Sequence, residues 1–562
     1  MANGTVTRVY SNFRGIDARG EDVNLMRSPD CLNVWKDYRK GSAIRTRPGW
    51  ELICPLEGKI HGIYFYKEEV LVHAGGAIYR VVNGAVSMLC NVHDGISNGF
   101  VYTNEKKGLI FYFLDGQRYI RYDGENVQEV EGYVPTTTIG KSPAGSGTVN
   151  EDVNMLTGRR KNTFLADNVS AVYVLDTKEL DETFRPLVTV NDVPWDNFTV
   201  DYAAGKITFN GKVPMKEGTD GQDNVVIEFQ KTIPGYRESI LGCKLLQLFD
   251  NRVFVSGNDQ YPNVVWHCSL HDPSYFSDKD YYQEGLDTAK VKGLVAGNNA
   301  LWVFREPSQA NTTVFYHTPS MDAEYGKIYP SAHSSVTTGC VGKAINFNDD
   351  IVFFSERGME GISGSITTEQ VVAHRSSLVD PLLLSQEEYP EMLLEEWEGY
   401  LLVFVGKKVF LADSRTAFSH ENHMEYEWFV WDLPYAVTCT CVQDGILYLG
   451  TNGNGVFTLT VENAPVESYW VTPKDKFKYP NLQKTTNKRG CVAEATGDIS
   501  VYAKEEDTEF ELIGTHKNVK DYFVSRIKRK KFKDLQLKFY SDTYFSLESV
   551  SLEVFIGAYI KR

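Results

Sequence analysis

The chain has 562 residues, a formal net charge of −16 and 13% aromatic residues. That length is too great for one ordinary core and predicts about three to four domains, and 42% hydrophobic with 23% charged residues excludes a disordered polymer. The negative charge excludes a protein built to grip DNA phosphate, which needs neutralising lysines and arginines; it suits a surface that must stay soluble, or a passage along which a duplex slides without sticking.

The opening residues Met1-Ala-Asn-Gly-Thr carry neither a basic nor an apolar region of the kind a secretory signal needs. No run of about 18 apolar residues occurs anywhere, so no membrane insertion is expected. Nine scattered cysteines give no disulfide framework and read as reduced, mostly buried thiols from a cytosolic assembly site. Abundant aromatics (32 Tyr, 30 Phe) and 46 Gly are what short strands joined by tight turns require.

In chain order, Ser28-Pro29-Asp30 predicts a turn, and Arg45 and Arg47 alternate along an extended segment so that both side chains leave on one face. Pro48-Gly49 ends that segment. Apolar strands with polar turns then recur at 62–67, 69–73 and 77–82, and again at 99–103, 108–113 and 119–124. Such a sheet cannot bury both faces alone, so repetition around an axis is expected. The pattern breaks at Tyr133, and runs at 171–175, 187–191, 198–202, 206–210 and 225–229 predict an inserted β-sandwich. From Cys243 the same grammar resumes, giving about seven blades in all. A helix in two short pieces, broken by Pro390, is expected over Val379 to Trp397.

The fold expected is therefore all-β: a β-propeller of about seven blades with an inserted β-sandwich and a C-terminal β-sandwich domain. Its divisions are an N-terminal extended segment (1–57), two propeller parts (58–135 and 240–462), the insertion (148–235) and a C-terminal β-rich domain (463–562).

The candidate sites are few. The basic run Arg526, Lys528, Arg529, Lys530, Lys531 and Lys533 could meet DNA phosphate or an acidic neighbour, or could be a charged edge strand that discourages aggregation. Arg45 and Arg47 pose the same choice between a subunit or adaptor interface and a solvated strand. Cys439 and Cys441 read as core thiols, because a structural zinc takes four ligands. His267 and Cys268 are adjacent, so they point to opposite faces and make a poor catalytic pair. Glu387-Glu388 and Glu395-Glu396 could suggest glycoside hydrolysis, but they read as an acidic helical surface. Linear motifs for hydrolases, phosphate loops and metalloproteases are missing, and the reading is that the chain is no enzyme and takes no cofactor.

Gly15-Ile16, Ser28 to Val34 and Arg45 to Trp50, in this order, resemble the opening of the tail nozzle proteins of short-tailed bacteriophages (tail tubular protein B, or packaged-DNA stabilisation protein). Asn154-x-Leu-Thr-x-x-Arg160, Gly205-Lys-Ile-Thr-Phe209, Asn251-Arg-x-Phe-x-Ser-Gly257 and Ser269-x-x-Asp-Pro-x-Tyr-Phe276 are similar to the same family. The resemblance implies a virion protein assembled in the host cytoplasm: a homo-oligomer, a hexameric ring below the head–tail adaptor and portal. That ring would also touch tail fibres or spikes, retain packaged DNA and conduct its passage. In that setting the two arginines and the basic run would serve subunit or adaptor contacts, and removing Arg45 and Arg47 would impair assembly while leaving the monomer folded. The alternative is a receptor-binding or glycan-processing propeller of a tail.

Overall fold

The structure is a computed structural model that describes residues 4–20, 23–104, 108–216, 222–310, 312–323, 326–363, 371–420, 423–528 and 531–559. The chain is all-β: the described residues form seven four-stranded sheets of propeller-blade type, an inserted pair of sheets and a C-terminal β domain. It divides into two compact units: Met1–Asn91 with Phe304–Val314 and Ser334–Arg562, and Val92–Val303 with Phe315–His333. No helix among the described residues is long and apolar enough to cross a membrane.

In the second unit one blade runs from Asn98–Asn104 to Val127–Glu129 and another from Leu245–Phe249 to Tyr281–Gln283; the strands from Val291–Gly297 to Ser331–His333 that complete a third lie largely in it. Two of these blades open with two-residue hairpins, Asp250-Asn251 and Asn298-Asn299, and a blade of the other unit opens the same way with Asn348-Asp349. All six of these residues adopt positive φ. Asparagine and aspartate tolerate that backbone, and the resulting turn matches strand twist. The insertion consists of a six-stranded sheet and a three-stranded sheet, Val172–Val174 with Lys206–Phe209 and Phe198–Asp201. They close on a core of Phe164, Tyr173, Ile207, Phe209, Val225, Ile227 and Phe229, the inward positions of period-two strands.

The first unit holds the blades beginning at Ile60–Tyr66, Ala344–Phe347, Leu393–Trp397 and Val437–Gln443. In the last, Val456–Val461 pairs with Gly49–Cys54, so a strand from near the start of the chain supplies the fourth position. The C-terminal sandwich is one continuous ten-stranded sheet. Its long strand Leu482–Glu505 changes partners along its length, pairing with Tyr522–Ser525, Glu511–Val519, Leu535–Ser541 and Phe545–Tyr559. Register shifts after Thr486 and Glu494 mark bulges of the kind that let one strand turn a corner.

Two features differ from the sequence reading. The segment 1–57 is not a free-standing extension: Thr5–Ser11 and Ile44–Thr46 pair with Phe545–Tyr559, and Cys31–Leu32 pairs with Ser468–Val471. The span Val379 to Trp397 forms short helices at Asp380–Leu383 and Tyr389–Glu391, but Leu393–Trp397 is the opening strand of a blade. Pro381 and Pro390 start helical turns that too few residues follow to extend. Glu395 and Glu396 therefore lie on a strand, not on a helical face. The helix Tyr236–Leu241 carried no periodicity that a six-residue element could display.

Candidate functional site

The opening segment forms a polar junction within the first unit. Gly15-Ile16 lies parallel to Arg27-Ser28. Gly15 adopts φ +125°, and a Cβ there would stand 2.1 Å from the carbonyl oxygen of Trp428, so only glycine fits. Arg27 grips the fully buried Glu427 with two parallel bonds, Nε to Oε2 at 2.8 Å and Nη2 to Oε1 at 2.7 Å. Burial raises the Glu427 pKa, against the pull of Arg27 and Arg14. Asn33, at φ 54°, donates Nδ2 to the Glu467 carbonyl at 2.8 Å. Its Oδ1 accepts from Arg47 Nε at 2.9 Å and from the Asp432 amide at 2.8 Å. Ser28 Oγ lies 2.7 Å from the Val471 carbonyl. These residues tie the opening segment to the blade strand His423–Asp432 and to the C-terminal sheet.

Arg45 and Arg47, with Thr46 between them, line a cavity of about 190 Å³ together with Trp35 and Trp397, whose rings stack 5.3 Å apart. Arg47 is 4% exposed and donates to Asn33 Oδ1, the Pro48 carbonyl and the Asp432 carbonyl, all at 2.9–3.0 Å. Burial pushes its pKa down to about 10. This corrects the expectation that Arg47 could be removed without harm to the monomer: it is a pin of the fold. Arg47→Ala removes the donor to two partly buried carbonyls and one of the two donors to Asn33 Oδ1, and should cost about 2 kcal/mol, read as a lowered denaturant midpoint with the slope unchanged. Arg45 is half-buried and makes one bond, Nη2 to the Lys40 carbonyl at 2.9 Å.

The basic run lies elsewhere. Arg526 and Lys528 are exposed beside a second, smaller pocket with Glu505 and Glu511, and Lys531 and Lys533 are exposed too. Arg529 and Lys530 lie outside the described residues. Ile527 and Phe532 anchor the run by burying between the charges, and Lys533 is tethered to Glu506 through its amide at 3.2 Å. The structure does not bring this run together with Arg45 and Arg47 in one site.

Two clusters carried no linear signal. His374, half-buried, places Nε2 2.6 Å from Asp380 and Nδ1 3.4 Å from the buried Glu360. Burial opposes its charge, yet bonds to Asp380 and Glu360 raise its pKa to about 10. A histidine whose folded pKa lies above its unfolded value of about 6.5 stabilises fully below that value. The contribution fades as pH climbs toward 10. Wild type should therefore lose more stability between pH 7 and 10 than a His374→Gln variant, measured by paired denaturation curves; equal losses would contradict the clamp. In the second unit, burial pushes Asp280 up to about 6, with Asp152 and Asp278 adding to the effect and Arg252 opposing it. Asp278 is raised too, chiefly by burial. Lys279 meets Asp152 at 2.5 Å, and the Tyr236 hydroxyl donates to Asp278 at 3.3 Å. Burial likewise raises Glu395 to about 7 and Cys439 to about 12.

No family model matches the chain, and no curated protein matches it. Solved structures do. The computationally designed Ika8 protein is similar at 12% identity over 73% of this chain and 99% of that one, with a TM-score of 0.31. An exo-β-1,3-galactanase from Phanerochaete chrysosporium, solved with β-1,3-galactotriose, covers 90% of this chain and 100% of its own at 6% identity and TM-score 0.23. The Swd1 β-propeller domain of Myceliophteria thermophila covers 53% of this chain and 96% of its own at 9% identity and TM-score 0.23. At such values these are likenesses of fold and say nothing of this chain's substrate. The reading that the chain is no enzyme is corrected all the same: glycoside hydrolases stand among the matches, and the exclusion fails on its own ground. The exclusion rested on missing linear motifs, whereas a glycosidase needs two carboxylates that separate strands can supply with no such motif.

Proposed function

We propose that this chain is a structural β-propeller protein of a phage tail, of the nozzle type, which assembles with copies of itself around a channel for DNA. The observation that carries this reading is the opening segment: Gly15-Ile16, Ser28 to Val34 and Arg45 to Trp50 match the family's pattern in order, and they meet at one junction of the first unit. Four of the matched residues have a specific job there. Gly15 admits the Trp428 carbonyl, Ser28 and Asn33 satisfy backbone groups, and Arg47 bonds three acceptors. The net charge of −16 is consistent with a wall from which a polyanion is repelled. The test is the mass of the purified full-length protein by light scattering over a dilution series. A ring-sized oligomer supports the reading, and a monomer at every concentration overturns it.

A second reading, a propeller acting on carbohydrate, is favoured by one observation: Asp280, raised to about 6, beside Asp152 and Asp278. A carboxyl whose pKa is raised by burial, with the charges of two other carboxylates acting on it, is the kind of group that glycosidic hydrolysis uses as its acid. Asp280→Asn should abolish any hydrolysis of bacterial surface polysaccharide that the wild type shows, a loss of at least about 100-fold. Absence of hydrolysis by the wild type across a polysaccharide panel would remove this reading.

A further inference from the structure

The cavity beside Arg45 has an unbalanced charge. Of its carboxylates, Asp37 and Glu398 are held by Arg39, with Nε 3.1 Å from Asp37 and Nη1 2.8 Å from Glu398. Glu462 is held by Lys40 at 2.5 Å. Every acid of the lining is thus already committed to Arg39 or Lys40. Among the described residues neither Arg45 nor Arg47 forms an ion pair with a carboxylate, although the charge of Asp432 acts on Arg47: Arg45 spends one N–H on a carbonyl, and Arg47 spends three on two carbonyls and an amide oxygen. Each guanidinium carries five N–H donors, so both have donors to spare. Two further donors on residues that line the cavity, Arg45 Nε and Trp35 Nε1, are buried without a hydrogen-bond partner, and Trp35 is only 3% exposed. Buried donors are almost always paired, so two orphans on residues that line one cavity show that its surroundings are short of acceptors. The volume of about 190 Å³ is below that of a drug-sized pocket, which limits the occupant to a few heavy atoms.

We propose that this cavity is a binding site for a small oxyanion (phosphate, sulfate or a short carboxylate), held by the guanidinium of Arg45 with support from that of Arg47. A planar guanidinium matches two oxygens of such a group, and a site walled by stacked indoles screens that attraction less than bulk water does. The occupant would also balance the charge that Arg47 carries into the interior, so the site and the fold are coupled. This inference does not depend on the assembly state and can be read on whichever oligomer the full-length protein forms.

The experiment is titration of the protein with sodium phosphate, sulfate and acetate, following indole N–H signals by NMR, with the Trp35 signal assigned through Trp35→Phe and sodium chloride as the ionic-strength control. A saturable shift of the Trp35 signal with at least one oxyanion, absent with chloride, is the expected result. In Arg45→Gln, which loses a single hydrogen bond to a carbonyl, the affinity should fall about tenfold or more. Arg526→Gln, on the separate basic run, should bind as wild type. An unsaturable drift shared with chloride, or equal binding by wild type and Arg45→Gln, overturns the proposal. If Arg45→Gln fails to fold, Arg45→Lys replaces it. That variant keeps the charge but loses the two-oxygen geometry, and undiminished affinity there overturns the proposal as well.

Discussion

Replacing Arg27 by Met should destabilise the first unit by about 3–5 kcal/mol, because it leaves the fully buried Glu427 without its bidentate partner. The remaining cation, Arg14, stands 3.6 Å away and is more than a third exposed, so it cannot replace Arg27. The loss should depend on pH in a specific direction. Without Arg27 the carboxyl of Glu427 has its pKa raised further than burial already raises it, so the folded state holds a proton that the unfolded state releases above about pH 4.5. Stability of the variant relative to wild type should therefore recover as pH is lowered toward 5 and worsen as it is raised. Glu427→Gln on the Arg27→Met background should recover much of the loss at neutral pH, since it removes the unpaired charge. Six of the nine tryptophans, Trp35, Trp50, Trp397, Trp428, Trp431 and Trp470, belong to this unit, so indole fluorescence during denaturation reports chiefly on it. A pH-independent loss below about 1 kcal/mol would show that the pair contributes no more than a surface bridge.

Gly15→Ala should be comparably severe. The residue holds φ +125°, which costs any side chain backbone strain, and its Cβ would stand 2.1 Å from the Trp428 carbonyl oxygen. The obstacle is backbone and not a flexible side-chain tip, so relief requires moving the strand His423–Asp432 away from the opening segment. Strain and overpacking together should cost about 2–5 kcal/mol. Gly4→Ala is the control: no atom lies within 4 Å of the Cβ it would add, and it should be neutral. Equal thermal midpoints for the two variants would mean that the opening segment does not dock as described.

The blades were legible in the sequence because each is local. Strands such as Glu69–Ala74 and Ala77–Val82 are joined by a turn of a few residues, and the apolar runs and glycines announce both. The hairpins Asp250-Asn251, Asn298-Asn299 and Asn348-Asp349 were present as turn dipeptides as well. What the sequence did not disclose is long-range pairing. Thr5–Ser11 finds Phe545–Tyr559, and Gly49–Cys54 finds Val456–Val461, with no pattern in either segment that names its partner. Leu393–Trp397 misled because its paired glutamates resemble a helical surface, while its pairing with Tyr400–Val405 makes it a strand; tertiary context overrode local preference.

The site was half-legible for the same reason. Two arginines at alternate positions were read as sharing a face, but nothing local distinguishes a solvated segment from one covered by the blade strand that carries Asp432. The functional meaning of Arg47 changes with that cover: a free cation could serve an interface, whereas a buried guanidinium bonded to three acceptors of its own chain serves the fold. The aspartates 152, 278 and 280 are spread over more than a hundred positions in sequence, and only the fold brings their charges together.

Electron cryo-microscopy of the purified full-length protein tests the central claim most directly. The account predicts closed rings of identical copies around an open bore, with aspartate and glutamate outnumbering lysine and arginine along its wall. Solitary molecules with no bore, or a bore lined by lysine and arginine, would contradict it.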